Sequence, residues 1–267
     1  QEEIQREWEP LGYLRPPDFQ RAVLEHEQFV QILSSAGALV DFLPSDHRTG
    51  LDSIYAHDPV LNTPSGVIVL RMGKPARRGE CEAFQDALQT WGIPVLGVLE
   101  APATAEAGDM IWLDPETLVI GRSFRTNFEG IRQIRQLLTP ASVNVVSADL
   151  PYWRGAAEVL HLMSVISILD RDLAVVYRPL LPVPVYELLT SRGYHLIDTS
   201  DEEFATMGCN VLALAPRKVM TIKGNPRVKS RLLAAGCSVM EFEGQEICHP
   251  GSGGPTCLTR PIERDAV

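Results

Sequence analysis

The sequence predicts an α/β fold, a closed five-module propeller that spans residues 1–267 as a single domain. Three observations support this fold class. A strand–turn–strand–helix–strand (ββαβ) pattern recurs at a period of roughly 50 residues, which is typical of repeat folds and propellers. One copy alone cannot bury both faces of its strands, whereas five copies around an axis can do so with their helices outside. Finally, the two chain ends carry the parts of one further copy.

Four complete copies are predicted between residues 53 and 242, each with two apolar strands around a tight turn, an amphipathic helix and a third strand. The predicted first strands cover 53–59, 109–113, 159–169 and 209–214. The second strands cover 67–71, 118–121, 173–177 and 219–222. The helices cover 78–91, 126–138, 185–191 and 225–235, and the third strands 94–99, 143–147, 195–198 and 238–242. A doubly wound sheet is the alternative, but it does not need a hairpin in every unit.

The fifth copy is predicted to be split between the termini. At the N-terminal side, Pro17 and Asp18 mark a helix start and Gly37 its end, and a short strand follows over 38–43. At the C-terminal side, residues 256–261 supply a further strand. Chain ends that complete one module in this way would close the ring.

Composition and charge exclude several classes of function. The formal net charge of −10, from 24 Lys+Arg and 34 Asp+Glu, argues against a nucleic-acid partner bound by its phosphates. Apolar residues make up 45% of the chain, yet no run approaches the roughly 18 residues of a membrane span, so no membrane partner is expected. The five cysteines are an odd number without a CxxC pair, which disfavours a disulfide framework or zinc ribbon and favours a reduced, cytoplasmic location.

A reactive side chain recurs about once per module, at or near the predicted first strand. These side chains are Asp58, Asp109, His161, Cys209 and Cys257. If the first strands line the axis, the five residues converge on one site whose acids, imidazole and thiols suit thiol chemistry on a cationic substrate. The alternative is structural, because free cysteines are commonly buried and inert, and a histidine in an apolar strand is usually a satisfied core residue.

Cys257 follows the glycine-rich stretch 251–254. Glycine permits close backbone approach, so the thiol could be presented to a ligand; the alternative is a small residue that fills a tight turn. Arg78 and Arg125 lie at or near predicted helix starts, either as surface residues or as a clamp for a substrate carboxylate. Phosphate-loop and dinucleotide fingerprints are absent, and His57 has no His or Cys neighbour at ligand spacing. These absences disfavour a nucleotide cofactor and a metal site at His57.

Six ordered motifs resemble the guanidine-modifying superfamily of arginine deiminases, amidinotransferases and dimethylarginine dimethylaminohydrolases, and the last branch most closely. The motifs lie at 51–59, 71–80, 106–109, 121–127, 160–164 and 253–257, so the resemblance runs with gaps from about residue 19 to the end. The family's fold is also a five-module α/β propeller. The chain departs from the branch at His57, where a glutamate is usual, at Met163, where a lysine is usual, and around Cys209.

The resemblance implies a C–N hydrolase that converts arginine or N-methylated arginine into citrulline and an amine. Cys257 would be the nucleophile, His161 the acid and base, and Glu106 the residue that orients His161 or the guanidinium. Neither a metal nor an organic cofactor is required. Arginine deiminase and amidinotransferase activities are alternatives on the same scaffold, and a non-enzymatic binding module is a third. The sequence leaves open the choice between methylated and free arginine, and whether the protein forms a homodimer.

The resemblance also implies how both ends of a small guanidino substrate are bound. Asp58, together with Asp109 or Glu106, would pair with the N–H groups of the guanidinium, which need planar acceptors. Asp52 would accept the α-amino group, and Arg78 and Arg125 would hold the α-carboxylate.

Overall fold

A computed structural model describes residues 2–264 of the chain. The chain divides into two compact units, each made of separate stretches of sequence. The first unit comprises residues 1–42 and 163–256, and the second unit residues 43–162 and 257–267. All catalytic and binding residues that the family resemblance implies fall within the second unit, whereas Cys209, predicted from the period to share that site, falls in the first.

The described residues form eight α-helices and twelve β-strands. The helices are α1 (Glu2–Glu7), α2 (Phe19–Ser35), α3 (Arg78–Thr90), α4 (Phe128–Leu138), α5 (Leu162–Val165), α6 (Val183–Ser191), α7 (Asp201–Ala205) and α8 (Pro226–Ala234). The strands are β1 (Val60–Thr63), β2 (Gly66–Val69), β3 (Val95–Val98), β4 (Met110–Asp114), β5 (Thr117–Arg122), β6 (Asn144–Asp149), β7 (Ile166–Asp170), β8 (Leu173–Val176), β9 (His195–Asp198), β10 (Leu212–Ala215), β11 (Lys218–Ile222) and β12 (Ser238–Phe242). No helix within 2–264 is long and apolar enough to cross a membrane.

The strands form four three-stranded sheets of identical topology. In each sheet the first two strands pair antiparallel across a tight turn, and the third strand pairs parallel with the second. A parallel neighbour requires a crossover connection, which α3, α4, α6 and α8 provide. The four complete ββαβ copies predicted from the sequence are therefore confirmed.

In the second unit, the two crossover helices bury apolar stripes against β1–β3 and β4–β6. Helix α3 packs Phe84 and Leu88 with Val67 and Val69, whereas α4 packs Ile134 into a cluster with strands β2 and β5. Burial of each such side chain contributes about 1.5–3 kcal/mol. Both sheets are thereby fixed to their helices, and the loops that precede β1 and β4 are held in place.

In the first unit, β7–β9 and β10–β12 share one apolar cluster with α8. Cys209 lies inside this cluster and is 1% exposed. Helix α2 begins as predicted, since the Asp18 side chain accepts a hydrogen bond from the Arg21 N–H. A Cβ atom at Gly254 would lie 2.3 Å from Asn210 Cγ, so the glycine-rich stretch does provide the close approach expected of it.

Several predicted strands are wrong. Residues 51–54 form a turn of 3₁₀ helix, and Asp58 precedes β1 rather than lying in it. His161 precedes the short helix α5, and β7 begins only at Ile166. The predicted strand over 159–169 therefore started too early, because a continuous apolar run does not distinguish strand from helix. Residues 38–43 and 256–261 contain no strand, so of the split fifth copy only helix α2 is confirmed. Closure of a five-module ring stays a prediction.

Candidate active site

A buried histidine–carboxylate pair lies at the centre of the second unit. His161 Nε2 is 2.8 Å from Oε2 of Glu106, whose residue is fully buried. The other oxygen of Glu106 accepts the backbone N–H of Lys74 at 3.0 Å and lies 3.6 Å from Nη1 of Arg125. The backbone N–H of Glu106 donates to the Thr126 hydroxyl at 3.2 Å. Glu106 is therefore held from three sides and fixes the orientation of the imidazole.

Asp58 lies on the other side of the same imidazole. Its Oδ1 accepts the Gly108 N–H at 3.0 Å and is 4.0 Å from His161 Nδ1, while its Oδ2 accepts from Arg77 Nη1 at 2.7 Å. The Asp58 backbone carbonyl also accepts the N–H of Ala107 at 3.0 Å. The loop before β1 is thus tied to the turn that carries Glu106, although the two are far apart in sequence.

Asp109 is buried beside this pair, but its oxygens serve the backbone. Oδ1 accepts the Leu162 N–H at 3.0 Å, and Oδ2 accepts the Ser123 hydroxyl at 2.6 Å. Because Leu162 follows His161 directly, Asp109 positions the chain that carries the imidazole. The structure places Asp109 near His161 with these two hydrogen bonds already formed, and its pairing with a guanidinium stays a prediction.

The buried charges shift one another's proton affinities. Burial alone would lower the pKa of His161, but the carboxylates of Asp109, Asp58 and Glu106 raise it to about 9. Burial would raise the pKa of Glu106, yet its bond to His161 and the imidazolium charge keep that pKa below its ordinary value. Burial raises the pKa of Asp109 to about 6, against the opposing effect of His161. His161 therefore carries its proton at neutral pH.

Of the two adjacent arginines, Arg77 rather than Arg78 enters the network. Arg77 is buried, makes a bidentate contact with Glu80, donates to Asp58 and donates to the Tyr55 carbonyl at 2.9 Å. Arg78, which the resemblance assigned to the carboxylate, begins α3 with an exposed side chain. The sequence pattern does not show which of the two arginines is buried, because this depends on the residue at which helix α3 begins.

Asp52, predicted to bind the α-amino group, is buried and joined to Lys74, whose Nζ lies 2.5 Å from its Oδ2. Sequence analysis did not identify Lys74. A lysine in a loop before a proline carries no signal of its own, and its link to Asp52 spans 22 residues. The side chain of Arg125 is 13% exposed, which leaves it partly accessible beside Glu106.

Cys257 is the only one of the five cysteines that is not buried. Burial raises the pKa of both Cys81 and Cys209 to about 12, and it also raises the pKa of Cys237. A thiol reacts as its thiolate, so these buried groups are poor nucleophiles. The backbone carbonyl of Cys257 accepts the N–H of His57 at 3.1 Å, which joins the cysteine to the residue before Asp58.

Three ligand atoms, one each from Asp58, Glu106 and His161, lie within 4.8 Å of one another and could hold a metal ion. Two features of the chemistry oppose this use. The surrounding carboxylates raise the pKa of His161 despite its burial, and a protonated imidazole has no lone pair to donate. Oδ2 of Asp58 is already bonded to Arg77 Nη1. The residues fit an acid–base pair better than a cation site.

The repeated ββαβ modules, the buried histidine–carboxylate pair and the partly exposed cysteine fit the guanidine-modifying class of enzymes that the motifs resemble. A sequence model of the family described as "N,N dimethylarginine dimethylhydrolase, eukaryotic" matches residues 4–264, and the chain belongs to this family. The resemblance noted from the motifs is thereby confirmed.

Curated relatives support this placement. The chain is 27% identical over 248 residues to the N(G),N(G)-dimethylarginine dimethylaminohydrolase of Pseudomonas aeruginosa, covering 93% of this chain and 91% of the relative. It is 26% identical to an arginine deiminase of Listeria welshimeri, covering 79% of this chain but only 61% of the relative. The chain is a hydrolase of amidine C–N bonds that acts on a guanidino group.

Solved structures agree in fold. A histidine-to-glycine variant of dimethylarginine dimethylaminohydrolase, in an adduct with S-methyl-L-thiocitrulline, superposes with a TM-score of 0.79 at 27% identity, covering 91% of this chain and 89% of that one. A cysteine-to-serine variant of the P. aeruginosa enzyme complexed with citrulline gives 0.78 at 27% identity, covering 92% and 90%. The N-terminal domain of a cyanobacterial arginine dihydrolase gives 0.78 at 21% identity, covering 92% and 89%, and shows the fold alone.

Proposed function

We propose that this protein hydrolyses N-methylated arginine to citrulline and a methylated amine through a covalent intermediate on Cys257. The observation that carries the proposal is the 2.8 Å contact between His161 Nε2 and Glu106 Oε2. It favours an imidazolium that can protonate an amine leaving group, and Cys257, the cysteine that is not buried, is the thiol available for attack.

In the first half-reaction, the Cys257 thiolate attacks the central carbon of the guanidinium and forms a C–S bond. The C–N bond to the methylated nitrogen then breaks, and His161 transfers its proton to that nitrogen as the amine leaves. The product on the enzyme is an S-alkylthiouronium. Glu106 stabilises the imidazolium and holds its ring in place, and the cationic substrate itself favours the thiolate.

In the second half-reaction, neutral His161 removes a proton from water, which attacks the thiouronium carbon. The tetrahedral adduct then breaks its C–S bond. As the C–S bond breaks, the hydroxyl proton of the adduct passes to solvent, where it protonates the released amine, and the C–O group becomes the ureido carbonyl of citrulline. The thiolate is regenerated and His161 is left protonated. One imidazole thus serves both steps, first as acid and then as base.

Substrate binding follows the charges of the site. Asp58 lies next to His161 and carries the negative charge that a guanidinium needs, with Asp109 behind it. Arg125, partly exposed beside Glu106, binds the α-carboxylate, and the exposed Arg78 provides a second, weaker contact. Asp52 accepts the α-amino group in competition with Lys74. No cofactor takes part in these steps.

The proposal for methylated arginine draws on the relatives. The family match spans 4–264, and the chain covers 91% of the P. aeruginosa enzyme, against 61% of the arginine deiminase. The test is product analysis after incubation with N,N-dimethylarginine and, separately, with arginine. We expect citrulline with dimethylamine from the former, and much slower release of ammonia from the latter.

The other outcomes separate the alternatives. Ammonia from arginine, without dimethylamine from dimethylarginine, would assign an arginine deiminase. Transfer of the amidino group to an added amine, without citrulline, would assign an amidinotransferase. The cytoplasmic location, the homodimer and the closed five-module ring stay predictions.

A further inference from the structure

His57 is bonded to the backbone at the residue proposed as the nucleophile and to the backbone just after it. Its backbone N–H donates to the Cys257 carbonyl at 3.1 Å, and its ring Nδ1 lies 2.9 Å from the carbonyl oxygen of Thr259. A carbonyl oxygen only accepts, so Nδ1 carries the hydrogen. One residue therefore fixes the backbone immediately at the thiol and two residues beyond it.

Arg260 lies against the same imidazole. Its Nη2 is 3.0 Å from His57 Nε2 and 3.3 Å from Nδ1, so a positive charge faces the ring and disfavours a second proton on it. Burial and the Arg260 charge lower the pKa of His57 to about 3. Arg260 Nη1 donates to the Val60 carbonyl at 2.7 Å, which connects the pair to the start of β1.

The residue after His57 extends this link to the acid–base pair. Asp58 is bonded through its backbone to Ala107 and through its carboxylate to Gly108, in the turn that follows Glu106. The chain carrying Cys257 is therefore joined to the turn behind His161 through two consecutive residues. Glu106 and Asp109 make their hydrogen bonds to other groups. The connection from Cys257 through His57 therefore does not depend on them.

We propose that His57, held neutral by Arg260, is a positioning residue that fixes the thiol of Cys257 relative to His161. The inference rests on the proposed function, in which Cys257 is the nucleophile. Reaction rates are sensitive to such placement, since a shift of about 1 Å in a reacting group can cost about a hundredfold.

The test compares His57→Leu, which removes both ring contacts, with His57→Asn, whose amide N–H can still donate toward the Thr259 carbonyl. His47→Leu is the matched control, because the side chain of His47 is 92% exposed in the same unit.

We measure kcat, KM and the rate at which iodoacetamide alkylates Cys257 between pH 6 and 10. For His57→Leu we expect kcat to fall at least about tenfold with KM within about twofold, and a shifted alkylation profile. His57→Asn should recover part of both changes, and His47→Leu should change neither.

A double variant separates positioning from stability. His57→Leu takes the imidazole away from the buried Arg260 guanidinium, which keeps its bond to the Val60 carbonyl, and should lower Tm. His57→Leu with Arg260→Leu also removes that buried cation and should regain Tm without regaining kcat. Parental kcat and alkylation in folded His57→Leu would overturn the proposal, as would recovery of kcat together with Tm in the double variant. If the parent turns over no guanidine, the proposed function fails, but the alkylation profiles still decide the role of His57.

Discussion

The imidazole of His161 lies directly against the bare backbone of Gly108. A Cβ atom at Gly108 would be 2.3 Å from His161 Nδ1 and 2.9 Å from Asp58 Oδ1, both shorter than any real contact of a methyl group. The same glycine donates its N–H to Asp58. Only a residue without a side chain allows His161 to reach Glu106 while the turn remains bonded to Asp58.

Gly108→Ala should therefore disable the site without unfolding the chain. We expect kcat/KM to fall by about a hundredfold, because the added methyl group displaces the imidazole from Glu106. Gly97→Ala is the matched control, since a Cβ there meets only side-chain carbons of Leu137, which can move. Steady-state kinetics on dimethylarginine, with circular dichroism to check folding, provide the measurement. Parental activity in Gly108→Ala would show that the imidazole tolerates displacement.

Cys257→Ser should remove turnover by at least about three orders of magnitude, because an alkoxide forms far less readily than a thiolate. The fold should remain, since the side chain of Cys257 is only partly buried. Cys81→Ala serves as the control, because burial raises the pKa of that thiol to about 12 and it lies in an apolar cluster. Substantial turnover by a verified Cys257→Ser sample would rule out the covalent mechanism.

The pH dependence should report His161. Its pKa in the folded protein is raised to about 9, so the acid form that the first step needs is present at neutral pH and is lost as the pH rises through about 9. We expect kcat/KM to decline above that value. In His161→Gly, formation and breakdown of the adduct should both slow, and mass spectrometry of a quenched reaction should locate the adduct on Cys257. A decline centred near pH 6.5, or an adduct on another cysteine, would contradict the assignment.

Arg125→Ala should weaken binding of arginine-type substrates by roughly 2–4 kcal/mol, the cost of a carboxylate without its charged partner. Binding of agmatine, which lacks the carboxylate, should change far less. Loss of the cation near Glu106 should affect binding of arginine and agmatine alike. The difference between their losses of binding free energy therefore measures the carboxylate contact. Equal losses for both ligands would show that Arg125 is structural.

Arg78→Ala provides the comparison for that experiment. Arg78 is exposed at the start of α3, so we expect a smaller loss of arginine binding than for Arg125→Ala and almost no loss of stability. KM values and urea unfolding of both variants give the comparison. A loss in Arg78→Ala as large as that in Arg125→Ala would make Arg78 an equal partner in the carboxylate clamp.

The four ββαβ modules are predictable from the sequence alone, because hydrophobic period, turn residues and helix caps are local signals that agree in every copy. It also pointed to Asp58, Glu106, Asp109 and His161, which the structure brings together. Local signals misassigned the strands at 53–59 and 159–165, where backbone groups bond to other loops or to a side chain instead of to a neighbouring strand. The His57 N–H donates to the Cys257 carbonyl, and the Leu162 N–H donates to Asp109 Oδ1.

Tertiary structure alone decided which residues complete the site. Arg77 rather than Arg78 reaches Asp58, Lys74 pairs with Asp52, and Arg260 meets His57 across 203 residues of sequence. Such contacts produce no periodic pattern in the sequence. Which loop residues meet depends on the direction of the loop backbone after the sheets have packed. Gly108 is a further example. A glycine is required there only because the imidazole of His161, 53 positions further along the chain, packs against its backbone.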